Sequence, residues 1–126
     1  MPYVIRSTER RRSETPTGVM TTNASPTLGA TTGLSMWEVD MATGASGPLH
    51  MIDSEQIWTV LDGELSVTIA GETETLGTGD TVVMPAGLER QVVARSDTRL
   101  LVCGYGSAIA RIPGEPDPRG TPAWIA

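Results

Sequence analysis

The chain holds a single imidazole. His50 stands inside residues 44–63, GASGPLHMIDSEQIWTVLDG, with carboxylates at Asp53 and Glu55 and an amide at Gln56 close behind it. An imidazole titrates near neutral pH and can offer a ring nitrogen to a proton or a metal, while carboxylates and amides supply oxygens. A second stretch, residues 79–90 (GDTVVMPAGLER), repeats the grammar of the first: a turn glycine, a short apolar run, then a Pro-x-Gly break. It ends on Arg90, whose guanidinium keeps its proton and has no lone pair to give. What these few groups can do depends on the elements that bring them together.

Those elements read as strands. Trp37, Val39 and Met41 alternate with Glu38 and Asp40 across 34–41, the pattern of a half-buried strand. Residues 56–61 read as a strand whose β-branched and aromatic run, 57–61, stops at Asp62-Gly63, a strong hairpin signal. The return, 64–69, sets Leu65, Val67 and Ile69 against Ser66 and Thr68. Further short runs at 72–76, 81–84, 90–94 and 99–105 are separated by Gly, Pro and Asp turns. Strands at this spacing predict an all-β sandwich or barrel, and no segment has the period of an amphipathic helix.

Length and composition agree. A chain of 126 residues suits one domain, and 14 Gly with 9 Pro favour many short elements over a helix bundle. Residues 1–33 are mixed, with short strands expected at Tyr3-Val4-Ile5 and at 19–22, and are expected to form an arm against the barrel or a partner. Residues 34–111 would be the barrel. The Pro- and Gly-rich tail, 112–126, is expected to be extended, with Trp124 and Ile125 docking it on an apolar surface.

Charge narrows the partners. A net charge of -6 disfavours nucleic acid and anionic membrane, and the basic run Arg10-Arg11-Arg12 between Glu9 and Glu14 reads as a solvated face. The one cysteine, Cys103, lies in an apolar run and is expected to be a buried, inert thiol in a reducing compartment. With no apolar leader and no run near the roughly 20 residues that span a bilayer, a cytoplasmic location is expected.

Taken together, the two glycine-led stretches resemble the cupin superfamily. Its first motif is matched in spacing by Gly44, His50, Ile52, Gln56 and Gly63, and its second by Gly79, Pro85, Gly87, Arg90 and Ala94. The resemblance covers roughly 34–104 and implies a double-stranded β-helix, the jelly-roll barrel, with extended terminal arms. In metal-dependent cupins the two histidines and the glutamate of the first motif and the histidine of the second bind a divalent cation. Here only His50 survives. Ile52 cannot ligate, Gln56 is a poorer ligand than glutamate, and Arg90 repels a cation. No resident metal is expected. The residual set for Fe, Mn or Zn would be His50 and Gln56 with Asp53 or Glu55.

The resemblance further implies that His50, Gln56 and Arg90 meet near the barrel mouth. Arg90 would then replace the metal as fixed positive charge for a carboxylate, enolate or phenolate, with Gln56 adding a hydrogen bond and His50 acting as acid or base. Trp58, Met84 and Trp37 or Met51 would wall a flat apolar ligand. Set against this are structural readings: Arg90 paired with Asp53, Glu55 or Glu89, His50 as a satisfied structural histidine, and Trp58 as core. Three functions follow: a metal-independent isomerase, cyclase or lyase acting on an anionic or polyketide-like aromatic substrate in secondary metabolism, a metal-dependent oxygenase or isomerase, or a non-catalytic binding or sensor protein. Cupins also commonly pair, so a homodimer is expected.

Overall fold

The alternation that predicts strands also decides what they bury. The computed structural model describes residues 3–126, and among these it has no α-helix, one short 3-10 turn (Ser7–Glu9) and eleven strands. These are β1 (Arg11–Glu14), β2 (Val19–Ala24), β3 (Leu34–Met41), β4 (Met51–Ile52), β5 (Gln56–Asp62), β6 (Glu64–Ile69), β7 (Glu72–Gly77), β8 (Thr81–Met84), β9 (Arg90–Ala94), β10 (Thr98–Tyr105) and β11 (Ala110–Arg111). A six-stranded sheet runs β1-β2-β3-β10-β5-β8, and a smaller one runs β7-β6-β9. The segment before β4 lies along β9, with backbone bonds from Gly44 to Ala94, Gly47 to Val92 and His50 to Arg90. β4 then pairs with β11, which extends the second layer across the barrel. This is the jelly-roll arrangement.

The two layers close on one core. Inward residues of the large sheet (Trp37, Val39, Met41, Val60, Leu100, Val102) meet Leu65, Val67, Val92 and Ala94 of the small one, all less than a tenth exposed. Each alternates with outward neighbours, as period-two strands require. No helix among the described residues is long and apolar enough to cross a membrane.

Three expectations need correction. Tyr3-Val4-Ile5 forms no strand: Tyr3 and Val4 are exposed, and with no apolar face to cover, the run has nothing to pair against. The arginine run is more than a solvated face, because it leads into β1: Arg10 pairs with Glu38, and Arg11 Nη2 donates to the Ala126 carbonyl oxygen at 2.6 Å. Cys103 is half-buried, since its place on β10 points outward between the buried Val102 and Gly104.

The tail docks through both side chains and carbonyls. Ile125 is buried, and buried hydroxyls of the large sheet take successive tail carbonyls: Thr22 Oγ1 donates to Trp124 at 2.7 Å and Ser35 Oγ to Ile125 at 2.5 Å. Ser25 Oγ does the same for Ala126 at 2.7 Å.

The β5–β6 hairpin turns at Gly63, where φ is +105° and a Cβ would lie 2.4 Å from the Asp97 carbonyl oxygen and 2.6 Å from Thr98 Oγ1. Gly71, at φ +84°, has open space around the same position. Gly63→Ala is therefore expected to cost about 2–4 kcal/mol and Gly71→Ala about 1 kcal/mol in urea unfolding. Equal losses at the two turns would contradict the packing described here.

Candidate functional site

β5 builds the site from its inward face. Gln56 lies opposite Met84 of β8 on one side and Gly104 of β10 on the other. Gly104 leaves the room that Gln56 occupies: a Cβ there would stand 3.0 Å from Gln56 Cγ and 3.6 Å from Trp37 Cη2. Gln56 Oε1 accepts two hydrogen bonds, from Trp58 Nε1 at 3.1 Å and from Arg90 Nη1 at 3.0 Å. Both donors demand the oxygen, so the amide is oriented with Nε2 as its free donor.

Arg90 opens β9 and exchanges backbone hydrogen bonds with His50, at 2.9 and 3.0 Å. Directly opposed residues of an antiparallel pair send their side chains to the same face, so imidazole and guanidinium leave the layer together. Arg90 is only 1% exposed. Besides Gln56, its Nη1 donates to Met84 Sδ at 3.0 Å, while Nε and Nη2 are buried with no partner. None of the expected carboxylates reaches it. Asp53 Oδ1 accepts from the Ile109 N–H at 2.8 Å, and Asp53, Glu55 and Glu89 are all exposed to water. Burial lowers the guanidinium pKa to about 10, so Arg90 is still a cation at neutral pH.

His50 is fixed by a different contact. Its Nδ1 lies 2.8 Å from the Pro48 carbonyl oxygen, which can only accept. The neutral ring therefore carries its proton on Nδ1 and leaves Nε2 bare. Burial pulls the His50 pKa below the usual imidazole value; the Pro48 bond works against this, and the charge of Arg90 adds to it. At neutral pH the ring is an acceptor and a base.

His50, Gln56 and Trp58 border a cavity of about 650 Å³. Trp37, Val39 and Met41 form one wall and Ile52 with Val92 the other, while His50, Gln56 and Trp58 supply polar atoms. The mouth is narrowed by Thr15 to Thr17 and by the tail through Arg119, Trp124 and Ile125. Trp37, Trp58, Gln56 and His50 stand on the cavity wall. Arg90 and Met84 do not. They lie behind Gln56, because the guanidinium folds back along the amide and the thioether instead of reaching the mouth. Met51 is also absent from the wall. Sequence reasoning missed Arg119 and the Thr15 turn, which carry no motif; only the apolar pair Trp124-Ile125 in a polar tail signalled that the terminus closes on something.

A family model described as "Cupin domain" matches residues 37–103. The chain belongs to the cupin family. It is 35% identical over 106 residues to quercetin 2,3-dioxygenase of Bacillus subtilis (strain 168), a match that covers 81% of this chain and 30% of that protein. The chain thus spans less than a third of that curated relative. Among solved structures, an RmlC-like cupin from Shewanella frigidimarina superimposes with a TM-score of 0.72 at 16% identity, covering 82% of this chain and 89% of the other. KdgF from Halomonas sp. does so with a TM-score of 0.70 at 24% identity, covering 81% and 91%. These two likenesses are likenesses of fold.

The resemblance to metal-dependent cupins raises the question of a divalent cation. The four positions hold one imidazole, a buried isoleucine, an amide whose oxygen is already taken by two donors, and a guanidinium. Among the described residues no three His, Cys, Asp or Glu side chains converge as a metal site; of the carboxylates in the residual set, Asp53 Oδ1 is taken by the Ile109 N–H, and Asp53 and Glu55 are both exposed to water. This donor set does not fit the cation.

A buried cation with two unpartnered nitrogens weakens the folded chain. Its pKa, lowered by burial to about 10, means the fold disfavours the charged form at every pH below about 10, and the penalty lifts as pH rises from there. Arg90→Met keeps the volume and removes the charge. It is expected to raise the stability of this cupin by about 1–3 kcal/mol in urea unfolding at pH 7. A loss of similar size would mean that the guanidinium has an anionic partner in the folded chain.

Proposed function

We propose that this cupin binds a small, flat organic anion and converts it by proton transfer, without a resident metal. One observation carries the reading: Arg90 is a buried cation with no carboxylate beside it, held one residue behind the cavity wall. A protein interior that keeps an uncompensated charge favours a guest of opposite sign, because the field of the charge is weakly screened there. Gln56 Nε2 donates to the anionic oxygen, and Arg90, bonded to the same amide, polarises it and supplies the charge. Arg90 is thus a positioning and electrostatic residue, while Gln56 makes the contact. His50 Nε2 is the acceptor that takes a proton from the ligand and returns it elsewhere, the chemistry of an isomerase, cyclase or lyase. Three tryptophans, Trp37, Trp58 and Trp124, border the space and suit an aromatic or polyketide-like skeleton. The single thiol and the acidic surface suit a cytoplasmic setting.

The reading is tested on a panel of aromatic carboxylates and phenols, with binding followed by tryptophan fluorescence and conversion by mass spectrometry. Arg90→Met is expected to weaken binding of the anions about 10- to 100-fold. His50→Gln is expected to leave binding within about threefold and to abolish turnover, since a base removed from a formed site changes rate more than affinity. Because the neutral ring is the base and its pKa is lowered, the wild-type rate should rise as pH increases through a value below 6.5 and then level off. Protein expressed with Fe, Mn and Zn supplied should carry less than about one tenth equivalent of metal. Stoichiometric metal needed for turnover would assign the site to a metal-dependent oxygenase or isomerase. Unchanged binding in both variants with no conversion of any ligand would leave only a binding protein.

A further inference from the structure

The inward face of the large sheet changes chemistry at one end. Met20 of β2 and Trp37, Val39 and Met41 of β3 are apolar. Thr22 and Ser35 hold the same inward parity further along these strands but carry hydroxyls, and Ser25 follows just past β2. All three are at most 1% exposed. A buried hydroxyl needs a partner, and here the partners are successive carbonyl oxygens of the tail, those of Trp124, Ile125 and Ala126. Arg11 Nη2 and Thr27 Oγ1 join Ser25 on the last of them, at 2.6 and 2.7 Å.

Backbone pairing plays no part in this attachment. Arg119 and Gly120 make the tail's last backbone bonds to the barrel, with Ala110 of β11, at 2.7 and 2.9 Å. Beyond Gly120 the backbone–backbone bonds among the described residues are internal: the Ile125 and Ala126 amides both donate to the Pro122 carbonyl oxygen, at 2.9 and 3.1 Å. They fold 122–126 into one compact turn. Gly120 has a φ of +80°, and outside its chain neighbours no atom stands within 4 Å of where a Cβ would lie, so the chain has room to pivot there. The opposite lip of the mouth is tied down locally. Thr15 and Gly18 exchange backbone bonds at 2.9 and 3.2 Å, and Thr15 Oγ1 accepts from the Thr17 amide at 3.2 Å.

We infer that residues 120–126 form a strap that pivots at Gly120, and that a guest enters and leaves the cavity when the hydroxyls of Thr22, Ser25 and Ser35 release the tail carbonyls. Gly120, Pro122, Trp124 and Ile125 all line the cavity, so lifting them widens its mouth. Hydroxyls suit a latch. When the strap lifts, water takes the place of each carbonyl and no buried polar group is stranded. Ile125, 2% exposed, supplies the apolar contact that returns the strap to its seat. The strap acts in this way whatever the cavity binds, charged or neutral.

Hydrogen–deuterium exchange of the ligand-free full chain reads the latch directly. Thr22→Val keeps the shape and removes the donor; it and Ser35→Ala should each speed exchange of the Ile125 and Ala126 amides about tenfold, leaving the core amides of Leu100 and Val102 unchanged. Thr68→Val, whose hydroxyl bonds to Thr73 far from the tail, should change neither set. Stopped-flow fluorescence with 2-naphthoate and 2-naphthamide reads the gate. Both latch variants should raise the association and dissociation rates of each compound about tenfold and leave each Kd within about threefold, because the strap closes the empty and the filled cavity alike. A rise in rates shared by both compounds belongs to the strap, whereas a preference for the carboxylate belongs to Arg90, so the two can fail separately. Wild-type exchange at 125 and 126 in both variants overturns the inference. So does faster exchange that spreads to the core strands, which would make the hydroxyls supports of the fold, and so do binding rates that stay unchanged.

Discussion

The interior of this barrel is arranged around a guanidinium that has no anion of its own. Arg90 is buried, and the atoms within its reach are an amide oxygen and a thioether sulfur, both neutral acceptors. A neutral acceptor satisfies a proton but does not cancel a charge, so the positive field persists into the cavity that Gln56 borders. Several other features follow from holding that charge in place. The two donors on Gln56 Oε1 fix the amide, the absence of a side chain at Gly104 gives it space, and the backbone pairing of β9 with the chain at His50 sets imidazole and guanidinium on one face.

A cation placed among ligands and a guanidinium anchored to an amide both put positive charge at one end of an apolar barrel. They differ in what they can do next. A metal polarises through an open coordination position, whereas a guanidinium orients and attracts but exchanges no ligand. In the proposed function the residue that moves protons is His50, whose tautomer is set by the Pro48 carbonyl and whose pKa burial pulls below the usual imidazole value.

Much of the fold was legible from the chain because period-two alternation and turn glycines are local. The strands expected at 34–41, 64–69, 81–84 and 90–94 have the observed bounds, and Asp62-Gly63 turns where it should. The extreme N-terminus was misread because β-propensity at Tyr3 to Ile5 says nothing about whether a partner strand exists. The site was legible in its parts but less so in depth. Spacing aligns Arg90 with a ligand position, yet a long side chain has several rotamers, and only packing decides that it folds behind Gln56. The cavity lid is long-range by nature: Trp124 reaches the mouth through tail contacts with β2 and β3 about a hundred residues away, as in the Thr22 bond to the Trp124 carbonyl. The single cysteine was misplaced by one strand face, since a continuous apolar run hides its parity.

The most direct measurement of the central claim compares 2-naphthoate with 2-naphthamide, equal in shape and different in charge, by calorimetric titration of the wild type and of Arg90→Met. A buried, uncompensated guanidinium predicts that the wild type prefers the carboxylate by about tenfold or more, and that the preference vanishes in the variant. A preference of the same size in both proteins would show that the positive field in the cavity does not come from Arg90.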